Sequence, residues 1–279
     1  MRRCSITVDV DRDVNQAVAG KVCAISMEKD GSTEPRFSSS AKGLEVIVDV
    51  LNGLDVQGTF FFEARTAIEI SKVIDLPSLM RGHEVACHGY DHEDLTGQKT
   101  GSPLGPGELD DILERSISVV RELFGVSRMG FRAPYLSCDD LVEKELVKKD
   151  FIYDSSKVTS LSNGVIGPFI TENGIVEVPV ASGTDADGKK IVGYLWPMHE
   201  GKRKVGDYIH LMGQFEDGLL VFATHSWHMV ENFCSGLLCA TDSRAQRDNL
   251  HELISKGMDM GLEFVRVDDH LFEHGPRAL

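Results

Sequence analysis

Residues 4–11 read CSITVDVD, an apolar strand that runs into acids. Side chains on a strand point alternately to opposite faces, so residues two apart share a face. That alternation turns Asp9 and Asp11 inward and leaves Val8 and Val10 to face outer helices. Two inward acids at a strand end are costly unless a cation or an arginine compensates them. The plainer reading makes Asp9 a turn cap, in a loop where Asp13 shows acids to be common.

The pattern recurs outward from this stretch. Apolar runs at 58–62 (GTFFF), 83–88 (HEVACH), 128–134 (RMGFRAP), 151–156 (FIYDSS), 174–180 (GIVEVPV), 218–225 (GLLVFATH) and 262–267 (LEFVRV) read as strands. Helical patterns lie between them at 41–52, 64–73, 107–124, 139–149, 205–216 and 242–260. The clearest places Leu109, Ile112, Leu113, Ile117, Val120, Leu123 and Phe124 on one face, with Pro106 near its start and Gly125 at its end. About eight strands alternating with about six helices predict an α/β fold, a mostly parallel sheet wrapped by helices as a barrel or a doubly wound sheet. No linker, repeat or low-complexity tract divides the chain, so residues 1–279 are expected to form one domain.

A net charge of −15 argues against nucleic acid and anionic membranes, both of which need a basic face. Asp9 comes too early for a signal peptide and no apolar run has membrane-spanning length, so the expected location is cytoplasmic. The six cysteines are then expected to be reduced and mostly buried.

Chemistry in a β/α barrel gathers at the carboxyl ends of the strands. Those ends carry Asp9 and Asp11, His88 and His92, Arg132, Asp154 and His225. His88 and His92 are spaced i and i+4, which suits two ligands of a divalent ion; the alternative is a polar loop of hydrogen-bonded histidines. Arg132, in FRAPY, suits a bidentate hold on a carboxylate. Pro134 has no amide proton, so Tyr135 offers the next free backbone donor, suited to an oxyanion. His225, in FATHSWH, follows an apolar run and is expected to be partly buried and to titrate near neutrality, with His228 as its competitor or a core role as the alternative. Nucleophile-elbow, Walker and dinucleotide-binding motifs are absent from the sequence.

The ordered motifs TVDVD, HGYDH, FRAPY, YDSS and ATHSWH, with GTFFF between the first two, resemble the polysaccharide deacetylase family that shares the NodB-homology domain. The resemblance implies a distorted (β/α) barrel of seven or eight strands and metal-dependent removal of acetyl groups from N-acetylated sugars, sometimes from O-acetyl esters. It further implies Asp11, His88 and His92 as ligands of zinc or cobalt, Asp9 as general base and Arg132 as the residue orienting it. His225 becomes the general acid, Asp154 a partner tuning the acid or the arginine, and the Tyr135 amide an oxyanion donor.

The first motif departs from the usual adjacent acids, because Val10 intervenes. This separated pattern is similar to a branch of intracellular and peptidoglycan-associated deacetylases and allantoinase-like enzymes, often homo-oligomers. A hydrolase of cyclic amides or ureides is therefore the alternative, and a non-catalytic sugar-binding barrel the third reading. The fourth motif lacks its usual tryptophan, for which Trp196 or Trp227 could substitute. Segments 12–40, 181–204 and 226–241 are long enough to act as lids or binding walls; the polar 29–40 stretch alternatively reads as a disordered insertion.

Overall fold

The Arg2–Val10 strand lies between two parallel neighbours, Thr59–Phe62 on one side and Asp217–His225 on the other. In this computed structural model, which describes residues 1–276, Glu84–Cys87 pairs in parallel beyond Thr59–Phe62. From there the sheet continues as single parallel bridges, Cys87 to Phe131, Phe131 to Asp154 and Asp154 to Glu177. The last of these segments runs on into Val180–Thr184, where Val180 pairs with Val221 and closes the ring. The expected distorted barrel is thus present, with seven parallel segments around it among the described residues.

The stretches RMGFRAP and FIYDSS, read as full strands, each contribute only one bridging residue, Phe131 and Asp154. Their ladder is brief because Pro134 and Pro179, lacking amide protons, stand at its margins. Within it the amides still pair: Phe131 donates to the Tyr153 carbonyl at 2.9 Å and Ser155 to the Phe131 carbonyl at 2.9 Å. Gly130 is required here, since a Cβ would sit 2.0 Å from the Tyr153 ring.

Side-chain alternation sorts the core into two shells. Phe61, Ala86, Tyr153, Val178, Val221 and Ala223 pack together inside the ring. Val8, Val10, Phe60, Phe62 and Phe222 face outward to meet Leu44, Ile47 and Leu51 of the helix Ser38–Gly53. Burying each such side chain is worth roughly 1.5–3 kcal/mol. The helix Pro106–Phe124 begins on a proline and ends at Gly125 with φ 70°, as its sequence predicts. The stretch LEFVRV pairs only through Glu263–Phe264; the chain then turns into an unanticipated helix, Val267–His274, and buries Val267 with the interior residues.

The three long segments have structure of their own. Asn15–Val18 and Lys21–Ser26 form a hairpin. The 29–40 stretch, one reading of which was disorder, is pinned by Arg36, whose guanidinium donates to the Met27 carbonyl at 2.6 Å and to Glu231 at 2.9 Å. Val180–Thr184 turns back through Lys190–Val192, and Glu231–Asn232 pairs with Gly236–Leu237. Of the cysteines expected to be mostly buried, Cys4 and Cys87 are, whereas Cys234 and Cys239 are exposed. Among the described residues no helix is long and apolar enough to cross a membrane.

Candidate active site

Asp9 is the next-to-last residue of the Arg2–Val10 strand, with its carboxylate buried. Arg132 Nη1 donates to Asp9 Oδ1 at 2.8 Å. The arginine is fully buried, with its other donors on the Ser155 carbonyl (3.0 Å) and Ser155 Oγ (2.9 Å) and its plane 4.2 Å from the centre of the Phe61 ring. Burial alone would raise the Asp9 pKa. Burial is the largest single influence, but Arg132, His88, His225 and a hydrogen bond from Tyr194 together outweigh it and hold Asp9 at about 2.

Asp11, His88 and His92 converge: one ligand atom from each lies within 4.8 Å of the others, and all three residues are buried. His92 Nε2 is 3.2 Å from Asp11 Oδ2. His88 Nδ1 donates to the Arg132 carbonyl at 2.8 Å, which leaves Nε2 as the lone-pair nitrogen. Burial lowers both imidazoles to about 4, so they are neutral and able to ligate. Burial also pushes the Asp11 carboxyl well above its ordinary range, and Asp9 adds to the rise. A buried anion in that position lacks a full cationic partner, and two neutral nitrogens beside it make a donor set that fits a divalent ion.

One guanidinium ties together the segments that carry these groups. Arg12, adjacent to Asp11, donates from its backbone N–H (2.8 Å) and Nη2 (2.5 Å) to Glu63, which follows the Thr59–Phe62 strand. The same Nη2 donates to Asp91, beside His92, and Nη1 reaches the Ala24 carbonyl at 2.7 Å. Left-handed backbone at Gly89 (φ 78°) and His92 (φ 52°) turns the loop so that both histidines face inward. Arg12, Glu63 and Asp91 were not among the residues singled out from sequence.

His225 ends the Asp217–His225 strand, directly opposite Asp9 in register. Its Nε2 lies 3.7 Å from Asp11 Oδ2 and 3.3 Å from the Tyr194 hydroxyl, and burial lowers its pKa against the pull of Asp11 and Asp9. Tyr135 sits at φ 60°, its ring edge-on to His92 at 4.6 Å. Asp154 is not brought to this cluster. Its Oδ1 accepts from the Ser155 amide (2.9 Å) and Ser156 Oγ (2.5 Å), while Ser155, not Asp154, reaches Arg132. His228 is buried in the wall of the same cavity, its ring 5.2 Å from that of His225, its Nε2 3.6 Å from Glu200 and its ring stacked on His199.

A cavity of about 640 Å³ opens over Asp9, His88, His92 and His225. Tyr194, Trp196, Lys202 and Phe233 form one side, and Tyr135 and Leu136 are also in the lining. Glu200 stiffens this wall by accepting from the Phe233 (2.7 Å) and Cys234 (3.1 Å) amides, so the two loops are tied together. Of the two tryptophans considered from sequence, Trp196 lines the cavity, 37% exposed, with Lys202 Nζ 4.7 Å above its ring. Trp227 is buried and donates its indole N–H to Asp11 Oδ1 at 3.0 Å. Tyr194 and Asn15, whose amide donates to Asp11 Oδ2 at 2.6 Å, were also missed in the sequence; each stands in a long loop with no strand-end signal.

The sequence model of the family described as polysaccharide deacetylase matches residues 30–153. Over 75 residues the chain is 40% identical to the peptidoglycan deacetylase-like protein FGM2 of Gibberella zeae, covering 27% of this chain and 20% of that protein. Over 75 residues it is 31% identical to the peptidoglycan deacetylase of Helicobacter pylori, covering 27% of this chain and 24% of that one. The chain therefore matches less than a quarter of the length of either relative. A crystal structure from Mycobacterium smegmatis, of a protein assigned as a polysaccharide deacetylase, superposes with TM-score 0.65 at 24% identity, over 100% of this chain and 94% of that one.

Proposed function

We propose that the chain, whose residues 30–153 match the sequence model of the polysaccharide deacetylase family, is a metal-dependent hydrolase that removes the acetyl group from an N-acetylated amino sugar or small glycan. The observation that carries this reading is the convergence of Asp11, His88 and His92 beside an ionised Asp9 and opposite His225. Asp11, His88 and His92 would hold zinc, or cobalt in its place, and such an ion supplies Lewis acidity toward an amide carbonyl and toward water.

The chain's own groups account for the proton movements. Asp9 Oδ1 is held by Arg132, so Oδ2 is the oxygen that accepts a proton from the attacking water. As the carbon–oxygen bond forms, the Tyr135 amide donates toward the oxygen on which negative charge collects. The carbon–nitrogen bond then breaks, and His225, in its protonated form, gives its Nε2 proton to the departing amine. Trp196 and Phe233 offer flat apolar faces against which a sugar ring can lie while its acetamido group reaches Asp9.

The test is acetate release from oligomers of N-acetylglucosamine by protein stripped of metal and reloaded with zinc or cobalt. Acetate release that depends on the added ion, and is lost in Asp11→Ala together with ion binding, is the expected result. Chelator-resistant acetate release, or ring opening of a cyclic amide with no acetate from any acetylated sugar, would overturn it.

A further inference from the structure

The oxygen of Asp9 that must take the proton is already addressed by a side chain. Tyr194 donates its hydroxyl to Asp9 Oδ2, and that hydroxyl is 3.3 Å from His225 Nε2. The tyrosine ring also lies against the imidazole, centroids 5.2 Å apart. A single residue therefore contacts both members of the acid–base pair, from the wall of the cavity they share.

Its mounting is more rigid than a loop position suggests. Tyr194 forms a parallel bridge with Ala223 of the Asp217–His225 strand. On either side the Gly193 carbonyl accepts from the Ala223 amide at 2.8 Å, and the Leu195 amide donates to the Ala223 carbonyl at 2.7 Å. The Gly193 amide also donates to the Ala181 carbonyl at 2.6 Å, and a Cβ at Gly193 would stand 2.7 Å from the Val221 carbonyl oxygen. Tyr208 donates to the Tyr194 carbonyl at 3.1 Å. Segment 193–195 is thus fastened to the strand that carries His225, two residues before that histidine.

We propose that Tyr194 is the positioning residue of the general base. Arg132 fixes one oxygen of Asp9 and the Tyr194 hydroxyl fixes the other, so the carboxylate plane is set by two donors from opposite sides of the ring. Without the hydroxyl, the carboxylate pivots about its bond to Arg132 and Oδ2 loses its aim at the attacking water. Misplacement of a reacting group by an ångström costs on the order of 100-fold in rate. This inference rests on the deacetylase reading through the role of Asp9.

The experiment compares Tyr194→Phe with wild type, both loaded with zinc, on N-acetylglucosamine oligomers. The expected result is a kcat about 10- to 100-fold lower at unchanged KM, zinc content and melting temperature. A kcat within twofold of wild type overturns the proposal, as does a loss of zinc binding in step with activity, which would mark a structural role. Tyr208→Phe, which loosens the mount while keeping the hydroxyl, should give a smaller kcat loss in the same direction. Carbon-13 NMR of aspartate carboxyls is a readout independent of turnover: the Asp9 resonance should move in Tyr194→Phe. An unmoved resonance overturns the proposal whether or not a substrate has been found, whereas wild type without acetate release counts against the deacetylase reading instead.

Discussion

Trp227 Nε1 donates to Asp11 Oδ1 at 3.0 Å, so a buried indole orients the only carboxylate of the candidate metal set. The other Asp11 oxygen accepts from Asn15 and faces His92. Removing a partner behind a ligand costs about 10- to 100-fold in metal affinity. Trp227→Phe keeps the aromatic packing against His225 and deletes only the donor. Zinc affinity, measured by chelator competition, should fall by about tenfold or more; an unchanged affinity would show that Asp11 needs no orienting partner.

Arg12 is the common cation of Glu63 and Asp91 and is itself buried. Truncating one side of a buried ion pair leaves the other uncompensated, at a cost of about 3–5 kcal/mol. Arg12→Met should lower the urea midpoint accordingly and also weaken zinc binding, because the segments bearing Asp11 and His92 lose their tie. A stable variant that binds zinc normally would separate this network from the site.

Asp154 hydrogen-bonds within its own turn and touches neither Arg132 nor His225 through the contacts described. It lies against Glu177, and burial raises both carboxyls. Asp154→Asn should therefore keep kcat within a few-fold of wild type. A loss of a hundredfold or more at normal stability would restore the role expected from the sequence.

Glu84, at the end of the barrel remote from Asp9, is buried with a pKa pushed up to about 7 by desolvation and by Asp268. It accepts from Thr59 Oγ1 (2.6 Å), Tyr153 (2.7 Å) and the Asp268 amide (3.0 Å). An acid whose folded pKa lies above its ordinary 4.5 contributes stability fully below that value and loses it as pH rises through about 7. The melting temperature should thus fall between pH 5.5 and 8, with a free-energy change on the order of 1–3 kcal/mol from this group. Glu84→Gln should flatten the dependence; an equally steep curve in that variant would assign it to other carboxyls.

Much of the site was legible because its residues stand where an apolar run stops. Asp9, Asp11, His88, His92, Arg132 and His225 each follow such a run, and the structure brings them to one end of the ring. Asp154 satisfies the same rule but misses the cluster by one residue. Opposite Phe131 in register, it leaves its neighbour Ser155 to reach Arg132, and a shift of one position on a strand reverses the side chain's direction.

Local periodicity determined the alternation of strands and helices, the outward turn of Val8 and Val10, and the ends of the Pro106–Phe124 helix, because these depend on residues within a few positions of one another. Closure of the ring through Val180 and Val221 was decided only in three dimensions, as was the arrival of Tyr194 between Asp9 and His225. So was the gathering of Glu63 and Asp91 around Arg12. Those contacts join residues far apart in the chain, and nothing in a short window records which distant charge or hydroxyl will satisfy a buried one.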